Sequence, residues 1–127
     1  MGRLEEENKR IVREYHRTAF VELDYQGARK FFGAHYIQHN PHLADGAEGI
    51  KSFIDLRKEK FPASTHQIKR IFAEGDYVIC HILYIPVPGT PGTAVVDIYR
   101  LEEGKLVEHW DVVQELPAHP ANNNGAV

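Results

Sequence analysis

Cysteine is nearly absent from the chain: Cys80 stands alone among 127 residues. An intrachain disulfide and a cysteine-based zinc cluster are thereby excluded, and such usage fits a reducing compartment. An excess of positive charge is missing too. Fifteen Lys and Arg against 18 Asp and Glu give a formal net charge of -3 with eight neutral histidines, which offers no basic field to a phosphate backbone. No apolar run is long. The most apolar stretch, VICHILYIPV, is too short to cross a bilayer and is interrupted by His81 and Pro86. The N-terminal MGRLEEENKRIVREYH has no apolar core of a secretory signal. These absences predict a soluble, cytoplasmic protein that engages neither nucleic acid nor a membrane. With 43% hydrophobic and 26% charged residues, the composition is that of one globular domain over residues 1–127.

What is present changes period part-way along. Leu4, Ile11, Tyr15, Ala19 and Leu23 recur in steps of four and seven, which predicts a long first helix with a solvated face from Arg3 to Arg17. Asp24 then precedes YQGARKFFG, a short second helix closed by Gly33. AHYIQHNPH reads as extended or irregular, because Pro41 disfavours helix at Asn40. Asp45-Gly46-Ala47-Glu48 has capping-box spacing, and a third helix is expected from about Gly46 to Lys60, stopped before Pro62. From there THQIKRIFAEG, YVICHILYI, TAVVDIYRLE and KLVEHWDVVQEL are rich in β-branched and aromatic residues, the pattern of four consecutive antiparallel strands. Helices followed by strands predict an α+β domain whose helices cover one sheet face. The last two strands are apolar on both faces, so the second face needs a cover, which a sheet-to-sheet homodimer supplies. The tail at 117–127, PAHPANNNGAV, is expected to fray or to drape over a neighbour.

Two aspartates sit inside the apolar strands, Asp97 in VVDIY and Asp111 in HWDVV. A hairpin turning at Glu103-Gly104 pairs positions that sum to about 207 or 208, so Asp97 lies opposite Asp111 or its immediate neighbour. Carboxylates in such a place are costly unless paired, hydrogen-bonded or protonated. As a pair sharing one proton they form a base and an acid, the equipment for moving a proton beside a carbonyl. The plain alternative is that they cap a loop or meet a buried His or Tyr. Tyr99 shares the Asp97 face and His109 the Asp111 face, unless a bulge turns His109 outward. His81, mid-strand, faces the helices together with Ile79 and Leu83, as a core histidine or an orienting group. His66 reads as a more exposed strand start and Cys80 as a packed thiol. In YIQHNPH, Asn40-Pro41 makes a turn that can bring Gln38, His39 or Asn40 to a pocket mouth. His39 and His42 lack the shared face of a metal motif, and no metal site is expected. His39, His81, Asp97 and Asp111 are the set that three dimensions would have to gather for one.

YIQHNPH, the D-G-x-E-G-I helix start, AEGDYV, VVDIYR and above all GKLVEHWDVVQ resemble the SnoaL-like polyketide cyclase family, of the nuclear-transport-factor-2-like, cystatin-like superfamily. Within it the chain is similar to the group of predicted SnoaL-like aldol-condensation enzymes, over about residues 8–125. The resemblance implies a cone of curved antiparallel sheet with three N-terminal helices on its concave face around a pocket. It also implies a dimer and ring closure by aldol addition without a cofactor. By motif, the proton-abstracting base falls on Asp111. Its partner, a histidine in the antibiotic cyclases, falls on Asp97, and polar support falls on His39 and Asn40. The resemblance thus implies a cofactor-independent lyase or isomerase acting on a small apolar carbonyl compound, with Asp111 and Asp97 catalytic and His39 and Asn40 binding substrate, to which the strand reading adds His81, Tyr99 and His109. A non-catalytic dimer that binds small hydrophobic ligands is the alternative, as is a hydrolase or dehydratase using the same aspartates. An epoxide hydrolase of this fold carries Arg two residues before the strand Asp, and Val95 stands there instead.

Overall fold

The computed structural model describes residues 2–127. Helix α1, Arg3–His16, buries Ile11, Val12 and Tyr15, and with them Asn8 and His16. Its solvent side carries the Glu7–Arg10 and Glu14–Arg17 pairs. The chain then widens into one π-helical turn, Arg17–Val21, closed by the Glu22 amide on the Arg17 carbonyl at 2.8 Å. That turn holds one residue more than an α-turn, and Thr18, Ala19 and Phe20 all face inward. Leu4, the first residue of the expected stripe, is 51% exposed. Asp24 caps α2, Tyr25–Ala28, by accepting the Gly27 amide.

Two sequence expectations change here. Gly33 does not close a helix but sits in strand β1, Phe32–Gln38, which pairs parallel to β5, Lys105–Glu115. A Cβ at Gly33 would lie 2.9 Å from Val107 Cγ1, so the close approach of the two strands favours glycine. The sheet therefore has five strands, not four, in the order β1-β5-β4-β3-β2, and it is mixed rather than wholly antiparallel. Asp45 does not cap α3, Glu48–Lys60, which starts behind Ala47. Its carboxylate instead accepts the Gln38 amide at 2.9 Å and ties the end of β1 to the following loop.

Strands β2, Thr65–Glu74, β3, Tyr77–Ile85, and β4, Thr93–Glu102, complete the sheet. At the β4–β5 turn Glu103 and Gly104 have φ of 49° and 77°, a two-residue hairpin loop whose left-handed backbone matches the strand twist. Pairing starts at Glu102↔Lys105, shifts by one residue between Arg100 and Leu101, and continues as Tyr99↔His109 and Asp97↔Asp111. The bulge lies before His109, so His109 and Asp111 keep a common face.

That inner face packs on α1 and α3. Tyr15 is its hub, with edge contacts to Phe20, Phe32 and Tyr99 at centroid distances of 5.4 to 5.8 Å. Arg57 of α3 is 1% exposed without a carboxylate partner. Its guanidinium donates to the Phe20 carbonyl at 2.7 Å and to Ser64 Oγ at 2.8 Å, over the rings of Phe53 and Tyr84. Arg57→Leu leaves those acceptors unpaired, and a loss of about 2–4 kcal/mol of stability is expected, measured by urea unfolding.

Candidate active site

A cavity of about 370 Å³ opens between the inner sheet face, α3 and the loop that follows β1. Its walls are largely apolar, among them Phe20, Leu43, Ile50, Phe53 and Val95. Polar groups gather on one side: Asn40, His42, Asp97, His109 and Asp111.

Register builds that side. Asp97 and Asp111 are direct cross-strand partners, yet the carboxylates are not a simple proton-sharing pair, because His109 stands between them. Its Nε2 donates to Asp97 Oδ1 at 2.8 Å and lies 3.8 Å from Asp111 Oδ2. Its Nδ1 is 2.6 Å from Gln38 Oε1. The same oxygen accepts the Asn40 amide at 3.0 Å, which fixes the Gln38 side chain with its oxygen inward. Both imidazole nitrogens thus face side-chain oxygens.

Asp97 is 6% exposed. Burial pushes its carboxyl up, but the His109 hydrogen bond, helped by the neighbouring imidazoles, outweighs this and holds it below the ordinary aspartate range. Tyr99 donates a long hydrogen bond to its second oxygen, 3.5 Å, while His16 Nε2 meets the Tyr99 hydroxyl at 2.8 Å. Asp111 goes the other way. Burial raises its carboxyl, Asp97 adds to the rise, and the Asn40 hydrogen bond and His109 offset it only in part. Asn40 Nδ2 donates to Asp111 Oδ2 at 2.7 Å, while Asn40 Oδ1 accepts the His42 amide and closes the turn. One asparagine is both turn residue and site residue.

Two expected binding residues lie elsewhere. His39 is on the outer face, hydrogen-bonded to Glu108 at 2.7 Å and stacked on Trp110 at 4.9 Å. The chain turns there, so that Asn40 and His42 point in and His39 points out. His81 also faces away from the helices and hydrogen-bonds Arg70. On β3 it is Val78, Cys80 and Ile82 that are fully buried, which puts Ile79, His81 and Leu83 on the opposite side. The set His39, His81, Asp97 and Asp111 therefore does not assemble. Potential ligand atoms within 4.8 Å of one another belong to His16, His66 and Asp97, and to Asp97, His109 and Asp111. Burial drives the Cys80 thiol up, as expected of a packed, unreactive cysteine. His16 went unseen in the sequence, His42 was weighed only as a metal ligand, and His66, expected to be a more exposed strand start, lines the cavity instead. His16 sat in a charged segment that read as solvated, although its spacing of four from Val12 would have marked the buried stripe.

A family model for SnoaL-like polyketide cyclases matches residues 10–121. The chain belongs to the SnoaL-like polyketide cyclase family. Among solved structures, it is similar to TsrD from Streptomyces laurentii, at TM-score 0.70 and 19% identity over 89% of this chain and 90% of that one. AclR from Streptomyces galilaeus, a proposed hydroxylase, superposes at TM-score 0.70 and 24% identity over 91% and 89%. IdmH from Streptomyces antibioticus, a proposed polyketide cyclase, gives TM-score 0.65 and 19% identity over 84% and 91%. At these identities the likeness is one of fold, the curved α+β cone of the family. No curated protein matches the chain by sequence. Among the described residues no helix is long and apolar enough to cross a membrane.

The buried histidines give this family member a pH signature. Burial lowers His16 to about 4 and His66 to about 3, whereas the unfolded chain takes up both protons near 6.5. Above that pH both states hold neutral rings and nothing is lost. As pH falls from 6.5 towards 4 only the unfolded state binds the protons, so stability drops by up to about 1.4 kcal/mol per pH unit for each histidine. Urea unfolding at pH 7.5, 6 and 5 should show this loss, and His66→Phe should remove about half of its slope.

Proposed function

We propose that this SnoaL-like protein is a cofactor-independent cyclase-type enzyme that abstracts a proton beside a carbonyl, with Asp111 as the base. The observation that carries the reading is the asymmetry of the two carboxylates. Asp111 is raised in its apolar setting, with one oxygen on Asn40 and the other uncommitted. Asp97 is lowered and committed to His109. A raised carboxylate is a stronger base than an ordinary one. Asp97 therefore serves as the counter-ion of His109 and not as the acid.

Asp111 takes the proton from the α-carbon, and the electron pair moves into the carbonyl, whose oxygen becomes an enolate. That charge develops next to the His109 ring and the Asn40 amide, groups already oriented before reaction. The enolate carbon then attacks a second carbonyl of the same molecule, and the new alkoxide recovers the proton from the Asp111 carboxyl. One carbon–carbon bond forms, and no atom is gained or lost. The apolar walls around Phe53 and Val95 suit a small apolar substrate.

The test is exchange of α-protons of small ketones in D2O, followed by NMR. Asp111→Asn should slow it by about 10²–10⁴-fold with the fold intact. Exchange unchanged in Asp111→Asn would refute Asp111 as the base, and wild-type exchange no faster than in buffer would leave a binding protein without chemistry. The rate should rise with pH through an Asp111 pKa above the ordinary aspartate value, since only the anion is a base. Asn40→Ala removes a hydrogen bond that lowers that pKa, so the rising limb should move to higher pH.

The fitting partner is a second copy, face to face through the outer sheet surface. There Phe72, Ile79 and Val112 are 56%, 39% and 65% exposed, more apolar surface than a lone β-sheet normally shows to water. Light scattering should report a dimer, and Ile79→Glu with Val112→Glu should yield a monomer; a wild-type monomer would refute the pairing.

A further inference from the structure

His66 takes no part in the proton-transfer machinery. It begins β2 and lines the same cavity. Its ring packs on Phe20 at 4.8 Å and on His16 at 5.1 Å. Nδ1 is sealed from solvent and so lies out of a ligand's reach, whereas Nε2 is not sealed, and among the described residues no side chain hydrogen-bonds either nitrogen; Nε2 is the ring atom left for a ligand. A polar ring held by aromatic contacts in an apolar wall, with its hydrogen bonding unspent, calls for a partner that arrives with the ligand.

We infer that His66 is a second polar anchor of the cavity, which hydrogen-bonds an uncharged oxygen of the substrate, a hydroxyl or phenol remote from the carbonyl that loses its proton. The inference rests on the proton-abstraction reading for the identity of that carbonyl. It narrows the substrate class from small apolar dicarbonyl compounds to those that also bear a neutral hydroxyl or phenol. Charge balance excludes an acid group at this end. Asp97 and Asp111 already place two carboxylates on the cavity, the His109 charge is matched by Asp97, and Arg57 is turned to the Phe20 carbonyl and Ser64. A carboxylate or phosphate would meet net negative potential. The imidazole itself is neutral at physiological pH, burial holding it to about 3, so it can either donate or accept a single bond.

A metal is the competing owner of this ring. His16, His66 and Asp97 offer one ligand atom each within 4.8 Å. His16 Nε2 is already engaged by the Tyr99 hydroxyl, which leaves His66 and Asp97 as the uncontested ligands of that set, fewer than the three or four a protein metal site normally uses.

Matched pairs test the anchor: 3- and 4-hydroxyacetophenone against 3- and 4-methylacetophenone, with dissociation constants from calorimetry at a pH where the phenols are neutral. At least one hydroxy compound should bind the wild type about 10-fold or more tightly than its methyl counterpart. His66→Phe should abolish or reverse that preference while still binding the methyl compounds, and His66→Gln, which keeps a hydrogen-bonding group, should restore part of it. Absence of a preference in the wild type, an equal preference in His66→Phe, or no binding of any of the four overturns the anchor. So does tight Co2+ binding that is lost in His66→Phe, since it would assign the ring to a metal. α-Proton exchange on the same ketones separates the two readings. Exchange without a hydroxyl preference sinks the anchor alone, and a preference without exchange sinks the base alone.

Discussion

The hydrogen bond between His109 and Asp97 is the contact on which the site depends. Asp97 lies in an apolar sheet between Val95 and Tyr99, where a bare carboxylate would be costly. A diagonal cross-strand partner, reached at 2.8 Å, supplies the opposite charge. Gln38 on β1 then holds the far side of that imidazole, so three neighbouring strands fix one ring. Burial opposes the ionisation of both carboxylates, but the His109 hydrogen bond holds Asp97 low while Asp111 stays raised, so two chemically identical side chains are shifted in opposite directions.

The surrounding architecture keeps this arrangement in register. The two-residue turn at Glu103-Gly104 starts the β4–β5 pairing, and the bulge between Arg100 and Leu101 shifts it by one, so that Asp97 meets Asp111 instead of a neighbour. β1 adds Gln38 and then releases the chain at Asn40, whose side chain spans the turn and the Asp111 carboxylate. From the helical layer, α1 presents Tyr15 and His16 to the ring of Tyr99. Burial of polar groups on this scale is tolerated because each of them except the His16 and His66 imidazoles and a few hydroxyl and amide atoms finds a partner.

Most of the fold was legible because periodicity reports burial. The 3.6-residue stripe of α1, the apolar face of α3 and the four long strands all carry it. β1 was harder to see: FGAHYIQ is short, begins with glycine in second place and pairs parallel to a strand about 70 residues away, a contact that leaves no local mark. Asp45 misled for a related reason. Its spacing to Glu48 fits a cap, but the Gln38 amide competes for the same carboxylate and wins. The site was half legible: hairpin arithmetic located Asp97 and Asp111, and turn chemistry located Asn40. His81 and His39 were misplaced because the side a strand residue faces depends on which neighbours bury it, and in this sheet both faces are apolar.

The amino-acid sequence by itself determined the α+β order, the family and the cross-strand encounter of the two aspartates, since these follow from local periods, turn residues and motif. Only the tertiary structure decided that the two aspartates are shifted in opposite directions, Asp97 down and Asp111 up. That difference depends on relative burial and on the placement of His109, Gln38 and Asn40, and electrostatic fields sum over groups brought together from distant parts of the chain. The same holds for His16 and His66. Their neighbours in sequence are charged and polar, and only packing against Phe20, Tyr99 and Asp97 makes them neutral rings beside a cavity.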